Sequence, residues 1–312
     1  MTVPKTPPQS AAADAALSNA LALDVLAAQA SIEVPALLRA LVAAGATFYG
    51  PDWPRQWRTL CITQPPALIS CEDFEWMDAH ERVDAAQEWL NAAAQGGRRF
   101  LPFAQNGAGD AYCLTVGADA HPHAIAPVAL VPHDDDEAMV LYASFDDFAT
   151  AMLLQAMADL SHQLDEFTQE EAVTKTRLDV TRTAALMPAG TAQRLQDMAA
   201  QVPQQHSVQD RPRARPRDVW ALISPQQLAH ELERLPNAQA APLPFPVVPR
   251  WQVRSASTQE VRATAALQRT VAPTWQTLAA DPTTRRQAIR AYQAEFGVDL
   301  PTAKAAVDAL RP

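Results

Sequence analysis

Three histidines and four carboxylates crowd the middle of this 312-residue chain, and they are the first groups to test for chemistry. His121-Pro122-His123 has the His-x-His spacing of a metal-binding pair, and His133-Asp134-Asp135-Asp136-Glu137 adds possible oxygen ligands. The pair lies in a proline-containing connection, where histidines are ordinarily solvated, so no metal is assigned. Other catalytic patterns lack parts. Gly107-Ala108-Gly109 has neither the third glycine nor the following helix of a dinucleotide loop. Glu81, Asp84 and Glu88 fall at helical spacing, where carboxylates face solvent. There is no Gly-x-Ser-x-Gly, Walker loop or His-Glu-x-x-His. Cys61, Cys71 and Cys113 form no Cys-x-x-Cys pair and leave an odd count, which argues against a disulfide or zinc framework and suits a reducing cytoplasm. The expectation is a non-enzyme without cofactor or metal, so its working residues should be those of binding.

Charge says what it would bind. Residues 1–171 carry 24 carboxylates against 7 basic side chains, whereas residues 172–312 carry 11 against 18. From Leu130 to Glu171 there are 11 carboxylates and no lysine or arginine. A field of that sign repels nucleic acid and accelerates encounter with a basic protein. Asp134, Asp135, Asp136 and Glu137, with Asp110 in the preceding turn, are therefore candidate partner-binding residues. Most tryptophans should be core, but Trp53 and Trp57 bracket Pro54-Arg55 and are candidates for a groove rim.

The elements that would position these residues follow from pattern. Phe100–Phe103 and Ala111–Val116 flank Asn106-Gly107-Ala108-Gly109-Asp110, residues that tolerate positive φ, which predicts two strands joined by a short loop. Ala126–Val131 and Ala138–Tyr142 read as two more strands around the acidic tip. Ser144 caps a helix to about Leu164, with Asp146 and Asp147 in its first turn. Upstream, Asp14–Ala30 is an amphipathic helix with Leu17, Leu21, Val25 and Ala28 on its apolar face. Pro35 opens a helix ending near Gly45. Trp57–Thr63 and Ala67–Ser70 read as short strands, Phe74, Trp76 and Met77 as part of a short helix, and Asp84–Ala94 as a helix stopped by Gly96-Gly97.

Leu101-Pro102-Phe103-Ala104, the run from Asn106 to Leu114, and Ala143-Ser144-Phe145-Asp146-Asp147-Phe148 together resemble the SUKH superfamily, the Smi1/Knr4-like domains. Pro35–Gly50 stands where that family places its opening helix, and the likeness covers about residues 31–164. It implies an α+β fold without catalytic residues, in which Pro102, Gly107, Gly109 and Asp110 shape turns. It also implies a bacterial immunity protein that binds and neutralises a cognate toxin, often a nuclease. The alternative within the family is a cytoplasmic scaffold or regulator for an endogenous protein.

Beyond Phe167 the pattern turns helical. Glu170–Leu186 and Thr191–Gln201 are predicted helices, Pro203–Arg217 a basic Pro-rich linker without the aromatics that stack on nucleic acid, and Ser224-Pro225 the start of a further helix. Ala240–Pro249 is extended and Pro-rich, packing along its own domain. Arg285–Phe296, Gly297 and a helix from Pro301 to Leu310 are similar to the helical hairpin of the ribosomal stalk protein's C-terminal domain. The expected organisation is a disordered tail (1–13), a SUKH-like domain with a mostly antiparallel sheet flanked by helices (14–168), and an all-α C-terminal region. That region divides into a helical extension (169–202), the linker (203–217), a helical and Pro-rich stretch (218–280) and the hairpin (281–312). The N-terminus lacks the uninterrupted apolar core of a signal peptide, and no run of about 18 apolar residues predicts a membrane span.

Overall fold

In the computed structural model, which describes residues 9–120, 125–209, 215–235, 243–253, 275–279 and 284–309, one antiparallel sheet organises the chain. Its strands are β1 (Glu75–Trp76), β2 (Arg99–Gln105), β3 (Ala111–Val116), β4 (Val128–Val131) and β5 (Glu137–Tyr142), in that order, closed at the far edge by a strand from Leu243–Pro246. The fold is α+β, and the four strands read from the sequence are its centre. Leu101, Phe103, Tyr112, Leu114 and Val128 face the larger core. Phe100, Cys113, Ala129 and Val131 face a smaller one that includes Trp89. Both faces are covered, so β3 is buried along its whole length and its sequence runs apolar without alternation. Pro102 has no N–H to give to the ladder, and the β2–β3 register shifts between Pro102 and Ala104 to accommodate it.

Ser144 caps the helix after β5, accepting from the Asp147 N–H at 3.1 Å. That helix, Phe145–Ala158, lays Phe145, Phe148 and Leu153 on the sheet. Several readings upstream need correction. The first helix begins at Gln9, so residues 9–13 are helical, and its buried side chains include Ala16, Leu23, Leu26 and Ala27. Leu17, Leu21 and Val25 face solvent instead. The helix is apolar around its circumference, so spacing alone could not choose the face. Trp57–Thr63, expected as a strand, belongs to a helix spanning Trp53–Thr63 with Pro54 in its first turn. Ala67–Ser70 is a turn, and Glu75–Trp76, expected in a helix, is edge strand β1.

The C-terminal half departs from the all-α expectation. Two helices, Gln169–Ala184 and Ala189–Ala199, are there, but they are followed by β6 (Gln204–Val208) and β7 (Arg217–Ala221), a two-stranded antiparallel sheet at the two ends of the expected linker, whose residues 210–214 lie outside the described residues. Two of its five linker-end pairs bury Val219 and Ala221, and main-chain bonds anchor it: Leu160 N–H donates to Trp220 O at 2.8 Å, and Leu222 N–H to Met157 O at 2.7 Å. Leu243–Pro246 is strand β8, paired with β5. Prolines 244 and 246 suit an edge, and Phe245 is buried against Phe100 with Arg98 4.1 Å above its ring.

The chain divides into compact units 1–254 and 255–312. Val180, Ala184, Leu195 and Ala199 share the core of Leu101 and Phe103, so the expected divisions at 168, 202 and 217 do not separate compact units. In the second unit, helices Trp275–Ala279, Arg285–Phe296 and Leu300–Ala309 bury Ala279, Ala288, Ile289, Ala303 and Val307 together. Gly297, at φ +62°, ends the middle helix in the left-handed region. No helix among the described residues is long and apolar enough to cross a membrane.

One buried carboxylate ties the helical extension to the rest. Asp179 accepts from Leu68 N–H at 2.7 Å, Ser70 N–H at 2.8 Å, Ser70 Oγ at 2.5 Å and Thr183 Oγ1 at 3.0 Å. Burial raises its proton affinity, and those four donors work against the rise. Asp179→Ala should strand these donors in the core and cost about 3–5 kcal/mol, with Asp179→Asn losing only about 1–2 kcal/mol because one acceptor remains. Urea unfolding of both variants measures the difference.

Gly109 sits at φ +93°, and a Cβ built there meets nothing within 4 Å. Any penalty at this position is therefore backbone strain alone. Gly109→Val should cost about 1–3 kcal/mol in thermal unfolding, since a β-branched residue is strained at positive φ.

Candidate functional site

Antiparallel registry brings four separate stretches to one end of the sheet. Glu75 pairs with Gln105, Ala111 with Val131, and Glu137 with Pro246, so residues 72–74, 106–110, 132–136 and 247–250 all emerge there. Hydrogen bonds lace them together. Asp73 accepts from the Gly107 N–H at 2.6 Å. Asn106 closes its own turn, accepting from Ala108 N–H at 3.1 Å and Asp110 N–H at 2.8 Å. Asp110 then accepts from Asn106 Nδ2 at 3.0 Å, from His133 N–H at 3.1 Å and from His133 Nδ1 at 2.8 Å. From below, Val247 N–H donates to Asp136 O and Arg250 N–H to His133 O, each at 2.9 Å.

The result is a rigid acidic end. Asp110, Asp134, Asp135, Asp136 and Glu137, singled out from sequence, come together there, joined by Glu72 and Asp73. Asp134 to Glu137 are exposed, while Asp110 is partly buried as the brace. Burial pushes the Asp110 carboxyl up, but the His133 and Asn106 bonds outweigh it and hold the group below the ordinary carboxylate value. The nearby Arg250 does not neutralise this end; its guanidinium bridges to Glu88 at 2.6 Å. Asp110, His133 and Asp134 bring one ligand atom each within 4.8 Å of one another. Asp110 already serves three donors, so the trio is a brace in construction. His121 and His123 lie outside the described residues.

Beside this end opens a cleft of about 450 Å³, walled by Tyr112, Leu130 and Tyr142 from the sheet and by Glu72, Asp73, Asp159 and His162. Burial, reinforced by Asp73, pushes the Tyr112 hydroxyl up to about 12, so it stays a neutral donor. Asp159 is pushed up by burial and more strongly down by Ser161 and by Arg217, whose guanidinium lies 2.7 Å away. The cleft was not legible in the sequence: Asp73 stands more than thirty residues from the turn it clasps, and nothing in the local pattern marks it or Glu72.

The two tryptophans share a side cluster with Cys61, Phe167 and Ala172, in which Trp57 packs edge-to-face on Phe167 at 5.7 Å. Trp53 does line a cleft, beside Tyr49. All three cysteines are free and buried. Burial pushes the Cys61 thiol to about 11 and those of Cys71 and Cys113 well above their usual value, the reverse of what a nucleophilic thiolate needs.

Compared with protein-family models, with curated proteins and with solved structures, the chain finds no match. The SUKH resemblance therefore rests on the residues that carry it.

Asp110 offers a pH handle on the acidic end. A carboxyl whose folded pKa is depressed contributes its stability above its unfolded value, about 3.9, and loses it as pH falls through the folded value. Asp110→Asn should cost about 1–2 kcal/mol at pH 7. The gap from wild type should shrink as pH drops below about 4, when both carry a neutral group. Unfolding curves of the two proteins from pH 3 to 7 provide the check.

Proposed function

We propose that this protein is a non-enzymatic binding protein of the SUKH type, an immunity protein that captures a basic toxin in the cytoplasm through the acidic end of its sheet. The observation that carries this reading is the gathering of seven carboxylates, from Glu72 to Glu137 in sequence, onto one hydrogen-bonded platform. A preordered surface loses little entropy on binding, and a single-signed one speeds the approach of a partner of opposite charge. The same field disfavours nucleic acid, whose phosphates would meet carboxylates. The family resemblance supplies the toxin; charge supplies the expectation that its binding face is basic.

A scaffold for an endogenous partner is the second reading. It is favoured by the separate helical unit at 255–312, whose Phe296 and Leu300 are exposed, as in a docking module.

The test is protection. If a toxin is encoded beside this gene, cells producing that toxin should survive when the protein is co-produced and die without it. Replacing Asp134, Asp135 and Asp136 with lysine should leave the circular dichroism spectrum unchanged, because an exposed tip adds nothing to the core. It should slow association about tenfold or more at low salt, with a smaller effect at high salt. A folded triple variant that binds and protects like wild type at both salt concentrations removes this end from the interface. Absence of any toxicity relieved by the wild type favours the scaffold.

A further inference from the structure

A second cleft, of about 480 Å³, opens against edge strand β1. That volume lies within the range of about 300–1,000 Å³ in which proteins hold ligands. Its make-up is unusual for a protein surface. Tyr49 and Trp53 stand with ring centroids 4.8 Å apart and planes inclined at 54°, a V-shaped pair of π faces. Phe74 and Trp76, both nearly buried, line the same cleft and meet edge-to-face at 5.0 Å. Glu75, Asp78 and Glu81 supply its charge, and no lysine, arginine or histidine among the described residues lines it.

The roles of these groups in the fold can be subtracted. Tyr49 Oη accepts from the Trp76 N–H at 2.9 Å, which covers the outward amide of an edge strand. Asp78 and Glu81 form the capping box of the helix Ala79–Glu88. Arg82, buried behind them, donates to Asn19 and offsets part of their charge. Glu75 alone has no such duty: it is exposed, and it sits on the strand between the two buried aromatics Phe74 and Trp76. What remains after subtraction is a V of aromatic faces beside an uncommitted carboxylate.

We infer that this cleft binds an arginine side chain presented by a polypeptide, its guanidinium against Trp53 and Tyr49 and paired with Glu75. Aromatic faces carry negative quadrupoles that attract cations within about 6 Å of the ring centre. A planar guanidinium stacks on such faces and forks onto a carboxylate, which an ammonium cannot do as well. A phosphate or carboxylate ligand would meet three like charges. An apolar ligand would leave the carboxylates unanswered at the mouth. This cleft borders the acidic platform, with Glu75 two residues from Asp73 and Gln105 next to Asn106, but the inference does not depend on the toxin reading.

The experiment uses the full chain, isotope-labelled to show its tryptophan indole signals by NMR. The probes are the capped peptide Gly-Arg-Gly and its forms with citrulline, lysine or norleucine in place of arginine. The arginine peptide should shift the Trp53 indole signal saturably. Citrulline, which keeps the shape and loses the charge, should bind about tenfold more weakly, with lysine between them. Glu75→Gln should weaken the arginine peptide about two- to fivefold, as expected for a solvent-facing ion pair. Trp53→Leu should weaken it about tenfold. If Trp53→Leu perturbs the fold, seen in its thermal unfolding, Glu75→Gln and the citrulline peptide still decide. Equal binding of arginine, citrulline and norleucine peptides would make the cleft a plain apolar groove and overturn the inference. So would the absence of a saturable Trp53 shift at tens of millimolar peptide.

Discussion

Asp179 is the constraint on which the rest of this structure turns. It lies on a helix that sequence reading assigns to an extension, yet its carboxylate organises a loop more than a hundred residues earlier. To present two N–H groups to it, the chain places Leu68 at φ +61°, a conformation that costs a non-glycine residue of order 1–3 kcal/mol. Four hydrogen bonds to one buried acceptor offset that strain. His162 and Gln163 add to the same knot by donating to Ser70 O at 2.9 and 3.4 Å. A carboxylate left unpaired here would be strongly destabilising, so the loop and the helix must be formed together.

From this knot the order propagates to the surface. Ser70 leads directly into Cys71, Glu72 and Asp73, and Asp73 clasps Gly107. The 106–110 turn then reaches His133 through Asp110. The acidic end is thus an outcome of polar satisfaction in the interior, carried outward through one loop and one turn. Repulsion among its carboxylates is tolerable because Asp134 to Glu137 project into water, where charges at such spacing cost little. The one acidic member that is partly withdrawn, Asp110, is the one supplied with three donors.

The sheet is protected at both edges by different means. On the β5 side, β8 supplies a short strand with two prolines that cannot extend the ladder. On the β1 side, a tyrosine hydroxyl covers an outward amide, and the aromatic residues needed for that cover also wall a cleft. Edge protection and a binding surface can therefore come from the same side chains.

By itself the sequence determined what local pattern encodes. Asn106-Gly107-Ala108-Gly109 specified a turn between two strands, Ser144 specified a cap, Gly297 specified a helix end, and the charge census located the acidic tip. These are effects of residues on their immediate neighbours, readable within about ten positions. Where local signals were symmetric, they misled. The first helix is apolar all round, so its buried face was set by what packs against it, and Leu17, Leu21 and Val25 were left outside. Trp53, Trp57 and Cys61 fit a helix as well as an aromatic-rich strand, and packing of Trp57 on Phe167 chose the helix. Only the tertiary structure decided the rest. Gln204–Val208 has no strand pattern and becomes one because Arg217–Ala221 pairs with it; Leu243–Pro246 becomes one because β5 has an open edge. Glu72 and Asp73 join the acidic surface because antiparallel registry and Asp179 carry them there. Strand partners and buried hydrogen-bond partners lie far off along the chain, and no local pattern of side chains records who they will be.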